Sequence, residues 1–438
     1  MQPKYTTRFM PRFQTREELS DHQLAGLRWT VSHAYHNNAD YRRKLDAAGI
    51  RPEDIQCLED LRRLPFTTAD DIRDGYPFPL VCVPFERIVR MHSSSGTTGK
   101  RKNICYTQKD VDDWTHFFAR AYEMAGVTAE DRVQIAVGYG VWTAGVGFQA
   151  GCEKLGAMAL PVGPGNVDMQ CQFLVDCRST VLCCTASMGL LMADEVRKRG
   201  IVDRIALKKV IYGSERASVS MRKKISEQLG NVELFDIPGM TELYGPGTGI
   251  ECPDHDCIHY WADYYILEIV DPNTLEPLPD GEWGEMIVTT LCKEAVPLIR
   301  YRTRDITRII PGPCTCGTIL PRHSRIKGRT DDMFKFRAVN IYPSSIDQII
   351  SGIPGFGSEY QIHLYQDEAD RGVMKIIVER AEGVDAEAND RLAKELVYQV
   401  KRKVLVTPVA EVVPYGSLPR SERKSKRVFD TRIQDAIV

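Results

Sequence analysis

Four short apolar runs set the tightest limit on how this chain can fold. They are VQIAV (133–137), AMALPV (157–162), TVLCCT (180–185) and KKVIYG (208–213). Each has the length of a strand rather than of a helix. Longer stretches with helical spacing lie between them, among them Met188–Arg199 and Ser218–Leu229. Strands that alternate with helices imply a parallel sheet with helices on its faces, because a parallel pair needs a long crossover.

The flanks read differently. Residues 16–48 are expected to be helical, with Leu19, Leu24, Leu27 and Val31 at three-to-four-residue spacing. Leu58–Tyr76 reads as short helices around the turn LPFTTAD. From about Tyr264 the texture turns to antiparallel β structure, YYILEIVD and GEMIVTTL, parted by the turn-rich DPNTLEPLPDGEWG. After Gly328 the expected strands are KFRAVNIYP, QIHLYQ and VMKIIVER, and the expected helices Ser344–Ser351 and Asp385–Val404. The predicted architecture is α/β. A large N-terminal domain (1–328) carries parallel or mixed sheets flanked by helices, plus a β subdomain, and a small C-terminal α/β domain covers 329–438. A 438-residue chain agrees with two or three domains.

Composition narrows the function. The net charge is −2 with 26% charged residues, so the basic surplus that nucleic acid demands is missing. No run of 18 apolar residues predicts a membrane span. The opening MQPKYTTRFMPRF lacks the apolar core of a secretory signal. With 13 cysteines and no such signal, reduced thiols and a cytoplasmic location are expected. Cys183 and Cys184, inside STVLCCTAS, read as buried small hydrophobes.

Chemistry concentrates first in SSSGTTGKRK, Ser93 to Lys102. Gly96 and Gly99 allow tight turns that aim backbone amides at an anion. Ser94, Ser95, Thr97 and Thr98 supply hydroxyl donors, and Lys100 supplies charge. The spacing is not that of a Walker A loop. Alone, the stretch reads equally as a flexible Ser/Gly linker.

A second concentration pairs ECPDHDCIH with PGPCTCG. Cys and His on two separated turns are how chains build tetrahedral zinc sites. The predicted ligands are Cys252, His259, Cys314 and Cys316, with Cys257 as rival to His259. Four protein ligands would make such an ion structural. The competing reading is scattered reduced cysteines near a surface loop.

SSSGTTGK resembles the phosphate loop of the acyl-adenylate-forming superfamily. Further segments match in order. FDIPGMTELYG (235–245) resembles the adenine and magnesium segment, and PLIRYRTRDITRI (297–309) the ribose segment. GRTDDMFKFRAVNIYPSSID (328–347) resembles the hinge, and LPRSERKSKRVFD (418–430) the C-terminal lysine segment. VNIYPSSID, the short C-terminal domain and the opening 90 residues resemble the phenylacetate–CoA ligase branch. The resemblance covers essentially the whole chain.

The resemblance implies ATP-dependent activation of an aryl carboxylic acid to an acyl-adenylate. A mobile C-terminal domain then rotates, and a thioester forms with coenzyme A. It implies that Glu242 holds magnesium and Thr241 contacts the α-phosphate. Ser214, Glu215, Arg216 and Asp236, Ile237, Pro238, Gly239 and Met240 frame the adenine. Asp305, Ile326 and Arg329 serve the ribose and phosphates, Lys424 serves adenylation, and Asp331 is the hinge. Members of this branch can carry the zinc cluster, and a homodimer is expected because relatives form them. The acid pocket is expected from Tyr139, Gly140, Trp142 and Pro164. Residue by residue, blander readings stand beside these: a solvated acid at Glu242, a turn cap at Asp305, a charged tail around Lys424, core packing at Trp142.

Four positions depart from the family pattern. Arg423 stands where glycine usually precedes the lysine, and Arg304 replaces the glycine of Thr-Gly-Asp. Ala338 replaces a glycine beside the expected thiol path, and Pro238 replaces an aromatic residue. The alternatives are an adenylating enzyme with another acceptor (a carrier-protein thiol, or adenylation of a deazaflavin) and a nucleotide-binding protein without catalysis.

Overall fold

The computed structural model describes residues 8–94, 101–141, 144–215, 217, 219–330, 334–336, 339–367, 372–419 and 427–431. Two compact units emerge. The first holds residues 1–184, 203–214 and 233–326, and the second holds 185–202, 215–232 and 327–438. This grouping by contacts differs from the single cut expected after residue 328. The helices Ala186–Lys198 and Val219–Gln228 group with the C-terminal residues. Polar ties hold them there. Tyr415 Oη donates to Asp194 at 2.7 Å, Lys224 Nζ lies 2.8 Å from the same carboxylate, and Arg197 pairs with Glu382. Hydrophobic spacing does not register such contacts.

In the first unit, five strands form one sheet in the order Met158–Leu160, Arg132–Ile135, Val181–Thr185, Lys209–Gly213, Glu233–Asp236. Val133 lies opposite Val181 and Tyr212 opposite Asp236 in parallel register. The strand Val181–Thr185 is buried along its whole length, as a run covered on both faces must be. Cys183 and Cys184 sit inside it as packing residues.

The antiparallel expectation also holds. Tyr265–Val270 pairs with Gly284–Thr290 from Tyr265↔Thr290 to Val270↔Glu285, and Gly284–Thr290 pairs in turn with Tyr301–Thr307. At the N-terminus, helices span Arg16–Asn37 and Ala39–Ala47. Asn38 separates them by capping the second, its Oδ1 accepting from the amides of Asp40 and Tyr41.

The N-terminal region grips the strand Tyr301–Thr307. Thr67 N donates to Arg300 O at 3.2 Å, and Arg302 N donates to Thr67 O at 2.9 Å. Arg300 is buried, with its guanidinium 4.1 Å from the Phe66 ring centroid and both Glu268 oxygens at 3.1 Å.

The second unit has a four-stranded sheet in the order Val409–Val413, Gly372–Arg380, Phe356–Gln366, Val428–Asp430. Helix Asn389–Val404 lays Leu392, Leu396, Val400 and Val404 against its core at four-residue spacing. The single strand expected at KFRAVNIYP is instead two, Phe334–Phe336 and Val339–Ile341, paired antiparallel. Folding back places Phe334, Phe336 and Ile341 in the same core, which one extended strand would not do. No helix among the described residues is long and apolar enough to cross a membrane.

Candidate active site and cysteine–histidine cluster

Ligands of parallel sheets sit beyond the carboxyl ends of the strands. In the first unit several expected site residues lie there. Tyr139 and Gly140 follow Arg132–Ile135, Pro164 follows Met158–Leu160, and Ser214 follows Lys209–Gly213. Asp236 ends the last strand, and Ile237 to Met240 follow it. Close packing shapes this edge. A Cβ at Gly213 would stand 2.5 Å from Ile237 O, and one at Gly239 would stand 2.3 Å from Gly245 O. Asp236 N donates to Glu251 Oε2 at 3.0 Å, and Ile237 N donates to Tyr212 O at 2.8 Å. The carbonyl of Pro238 accepts from the amides of Gly247 and Thr248. Proline thus fits a position whose carbonyl, not its amide, carries the local bonding.

The phosphate-loop segment leaves this unit as a hairpin. Arg90–Ser93 pairs antiparallel with Asn103–Tyr106. Ser94 N donates to Lys102 O at 2.9 Å, and Lys102 N donates to Ser94 Oγ at 3.0 Å, closing the base. Ser93 N donates to Val141 O at 2.9 Å. Ser95, Gly96, Thr97, Thr98, Gly99 and Lys100 lie outside the described residues, as do Trp142, Arg216, Asp331, Ala338, Arg423 and Lys424.

Glu242 is buried, and its carboxylate is held from two sides. Lys102 Nζ pairs with Oε1, and Tyr301 Oη donates to the same oxygen at 2.9 Å. Burial would push its pKa up. The Lys102 ammonium, with hydrogen bonds from Lys102 and Tyr301, outweighs that and holds it below the usual carboxylate value. The backbone of Glu242 is fixed as well. Lys293, fully buried, donates to its carbonyl at 2.9 Å and sits 5.0 and 5.2 Å from the Tyr244 and Tyr106 ring centroids. Burial pushes the Lys293 ammonium down to about 8 against the pull of Asp110 and Glu242. Tyr106 Oη donates to the carbonyls of Tyr244 at 2.8 Å and Thr241 at 3.3 Å. One carboxylate of fixed position, opposite a phosphate-loop hairpin, fits the way magnesium is shared between a protein acid and substrate phosphates.

Asp305 owes its placement to a bulge. Arg302 lies opposite Ile287 and Ile306 opposite Glu285, so three residues face the single Met286. Thr303 Oγ1 donates to Met286 O at 2.7 Å and accepts from Asp305 N at 3.0 Å. Arg304, at the glycine position of the family pattern, has φ +69°. A side chain there costs about 1–2 kcal/mol. Its ion pair with Glu285 is long at 3.8 Å, and Arg302 already holds that carboxylate at 2.6 and 3.0 Å. Arg304→Gly is therefore expected to stabilise the fold by about 1 kcal/mol. A melting temperature at or below that of the unsubstituted chain would contradict this.

The remaining expected positions are placed individually. Tyr139 is half-buried, with its ring against Gly145, where a Cβ would come within 2.7 Å of it. Gly140 and Pro164 are exposed. Ile326 packs at the margin of the first unit's core. Glu215 and Arg329 belong to the second unit, where Glu215 accepts from Ser187 N at 2.6 Å near the start of a helix.

The cysteine–histidine cluster is assembled by a second sheet. Gly249–Glu251 and Ile258–Tyr260 form a hairpin with Ile250 opposite His259, and Ile258 pairs onward with His323. This joins the turn holding Cys252 to the turn holding Cys314 and Cys316, where Gly317 (φ +87°) donates back to Cys314 O. One donor atom from each of Cys252, His259, Cys314 and Cys316 lies within 4.8 Å of all the others, and all four residues are buried. Cys252 Sγ stands 3.8 Å from Cys314 Sγ, and Cys316 Sγ stands 3.5 Å from His259 Nε2. Tetrahedral zinc, with bonds of about 2.3 Å to sulfur and about 2.0 Å to nitrogen, places such donors about 3.8 and 3.5 Å apart. His259 Nδ1 lies 2.9 Å from Leu320 O, the outer partner that orients a metal-binding imidazole. The donor set fits zinc. Cys257 falls in a different group, with Cys252, Asp256 and Cys314, and its sulfur lies 3.8 Å from Arg322 Nη1.

Comparison with known proteins agrees with this geometry. The family described as AMP-binding enzyme matches residues 42–292, and the AMP-binding enzyme C-terminal domain matches 338–432. The phenylacetate-coenzyme A ligase of Escherichia coli (strain K12) is 40% identical over 421 residues, covering 95% of each chain. The chain belongs to the phenylacetate–coenzyme A ligase branch of the AMP-binding enzymes. The fold of this AMP-binding enzyme is similar to that of solved 2-hydroxyisobutyryl-CoA ligase. The postadenylation crystal structure of that protein with R3-HIB-AMP gives a TM-score of 0.87 at 27% identity, covering 98% of this chain and 95% of that one. Its thioesterification-state structure with 2-HIB-AMP and CoA gives a TM-score of 0.70 at 27% identity, with the same coverage.

Sequence reasoning missed the residues that hold Glu242. Lys102 was counted with the loop but given no role, and Tyr301 was hidden in the ribose segment. Lys293 did carry a signal. It is a lone cation in the apolar run MIVTTLCKEAVPLI, and a buried charge must find partners.

Proposed function

We propose that this chain activates a small aryl carboxylic acid, with phenylacetate as the first acid to test, and passes it to coenzyme A. The enzyme is an AMP-forming acid–CoA ligase, as its 40% identical relative is a phenylacetate-coenzyme A ligase. The substrate carboxylate attacks the α-phosphorus of ATP, the bond to the bridging oxygen breaks, and pyrophosphate leaves. The thiol of coenzyme A then attacks the acyl carbon, and AMP leaves with the bonding pair.

The observation that carries this reading is the buried, ionised Glu242 beside the phosphate-loop hairpin. Glu242 would hold magnesium, which supplies positive charge between two anions that repel. Thr241, fixed through its carbonyl by Tyr106, would present its hydroxyl to the α-phosphate. Asp305, raised on its bulge, would accept from the ribose hydroxyls. Ser214 and Asp236 to Met240 would frame the adenine, and Tyr139, Gly140, Trp142 and Pro164 the acid. Ser94 to Lys100 would hold the outer phosphates. Arg329 would assist the ribose or phosphate, Lys424 would contact the α-phosphate and carboxylate during adenylation, and Asp331 would be the hinge. Cys252, His259, Cys314 and Cys316 would hold a structural zinc. The assembly is proposed as a homodimer.

The test is a coupled assay of ATP, magnesium and a panel of aryl acids, with and without coenzyme A. Matching AMP and thioester for one acid is the expected result. Pyrophosphate without thioester would reassign the acceptor, and no turnover of any acid would overturn the reading. Lys424→Ala is expected to lower pyrophosphate release by about 10²-fold or more. Unchanged release would remove Lys424 from catalysis.

A further inference from the structure

Lys293 takes no part in the chemistry above, yet it is fully buried against the backbone of its central group. Thr241 and Glu242 sit at the tip of a tight hairpin closed by the pairs Gly239↔Pro246 and Met240↔Gly245. Side chains hold three carbonyls of this tip. Lys293 Nζ donates to Glu242 O at 2.9 Å, and Tyr106 Oη donates to Tyr244 O at 2.8 Å and Thr241 O at 3.3 Å. With that backbone fixed, the Glu242 carboxylate has a set position against Tyr301 Oη at 2.9 Å.

Lys293 is itself seated. Asp110, also fully buried, accepts from the next two amides, Glu294 N at 2.8 Å and Ala295 N at 2.9 Å. The same carboxylate accepts from Thr107 N at 3.1 Å in the capping box of the helix Gln108–Met124. The lysine is thereby tied to the start of a helix, and its ammonium faces the rings of Tyr106 and Tyr244 at 5.2 and 5.0 Å. A buried ammonium loses its hydration, a cost that an apolar side chain of similar length would avoid. Packing alone does not account for it.

We propose that Lys293 is a positioning residue for divalent-cation binding, which fixes the hairpin tip Thr241–Tyr244 and so sets the affinity of Glu242 for the ion. It touches neither ion nor substrate and acts through the Glu242 carbonyl. This rests on the reading of Glu242 as the metal carboxylate. Partners one step removed from a metal carboxylate orient it, and removing one costs about 10–100-fold in metal affinity or activity.

Manganese serves as the probe, titrated into nucleotide-free protein and followed by electron paramagnetic resonance. Lys293→Met is expected to bind manganese about tenfold more weakly than the unsubstituted chain, with a melting temperature close to that of the unsubstituted chain. The magnesium concentration for half-maximal phenylacetate-dependent pyrophosphate release should rise by a similar factor, while the KM for phenylacetate stays unchanged. In a Glu242→Gln background, Lys293→Met should weaken manganese binding no further, because its effect passes through that carboxylate. Lys293→Gln replaces the methionine variant should that one not fold, and failure of both to fold would make the lysine a structural residue and overturn the proposal. Unchanged manganese affinity, or an equal loss in the Glu242→Gln background, would overturn it as well. The two levels separate cleanly: if Glu242→Gln alone retains the unsubstituted chain's manganese binding, the reading of Glu242 fails and not only that of Lys293.

Discussion

Replacing Glu242 by Gln lowers acid-dependent pyrophosphate release by about 10²–10³-fold at saturating ATP and magnesium. That loss corresponds to about 3–4 kcal/mol of transition-state stabilisation. The substitution keeps shape and one carbonyl oxygen, so Tyr301 Oη, 2.9 Å from Oε1, retains an acceptor. Lys293 is untouched, because it bonds the backbone carbonyl of residue 242. What disappears is the charge, and the charge is what a carboxylate attacking a polyphosphate requires nearby in the form of a bound cation. The deficit should appear in kcat rather than only in the KM for the acid, since the acid is expected to be held elsewhere on the sheet edge. Circular dichroism and melting temperature close to those of the unsubstituted chain accompany the loss. A variant within threefold of full activity would sink the magnesium assignment.

The frame of this site was legible because local pattern and fold agree. Runs such as TVLCCT can only be buried strands, and their order places Ser214 and Asp236 at one sheet edge. The glycines of FDIPGMTELYG mark close backbone approach, and Gly239 meets Gly245 O with no room for a Cβ. What the sequence could not show is pairing across long chain separations. Lys102 and Glu242 are 140 residues apart, and the carbonyl that Lys293 holds lies 51 residues upstream. No periodicity encodes either contact. The tie between Tyr415 and Asp194, which spans 221 residues, is of the same kind. Arg304 is the opposite case. The family pattern marked it as a departure, and its φ of +69° gives the departure a physical meaning, a glycine position filled by a strained arginine.

Removing one of the proposed zinc ligands is expected to have the other large effect, on stability. The protein as purified should carry about one zinc per chain by elemental analysis. Cys316→Ser and His259→Ala should each lose it, whereas Cys257→Ser should keep it. The separation between these variants follows from geometry. His259 Nε2 stands 3.5 Å from Cys316 Sγ and its other nitrogen faces Leu320 O, while Cys257 belongs to a second grouping that omits both. Structural zinc sites in small domains contribute about 10–16 kcal/mol of binding energy. Only part of that reaches global stability here, because the sheet pairing of Ile258–Tyr260 with Arg322–His323 also ties the two turns together. A fall in melting temperature on the order of 5–10 °C for Cys316→Ser, matched by prolonged chelation of the unsubstituted chain, is the expected size. Adenylation activity per folded molecule should persist, since the four protein donors leave no position for substrate. Zinc retained by His259→Ala but lost by Cys257→Ser would exchange the fourth ligand, and zinc absent from every preparation would return the cluster to four reduced, buried side chains.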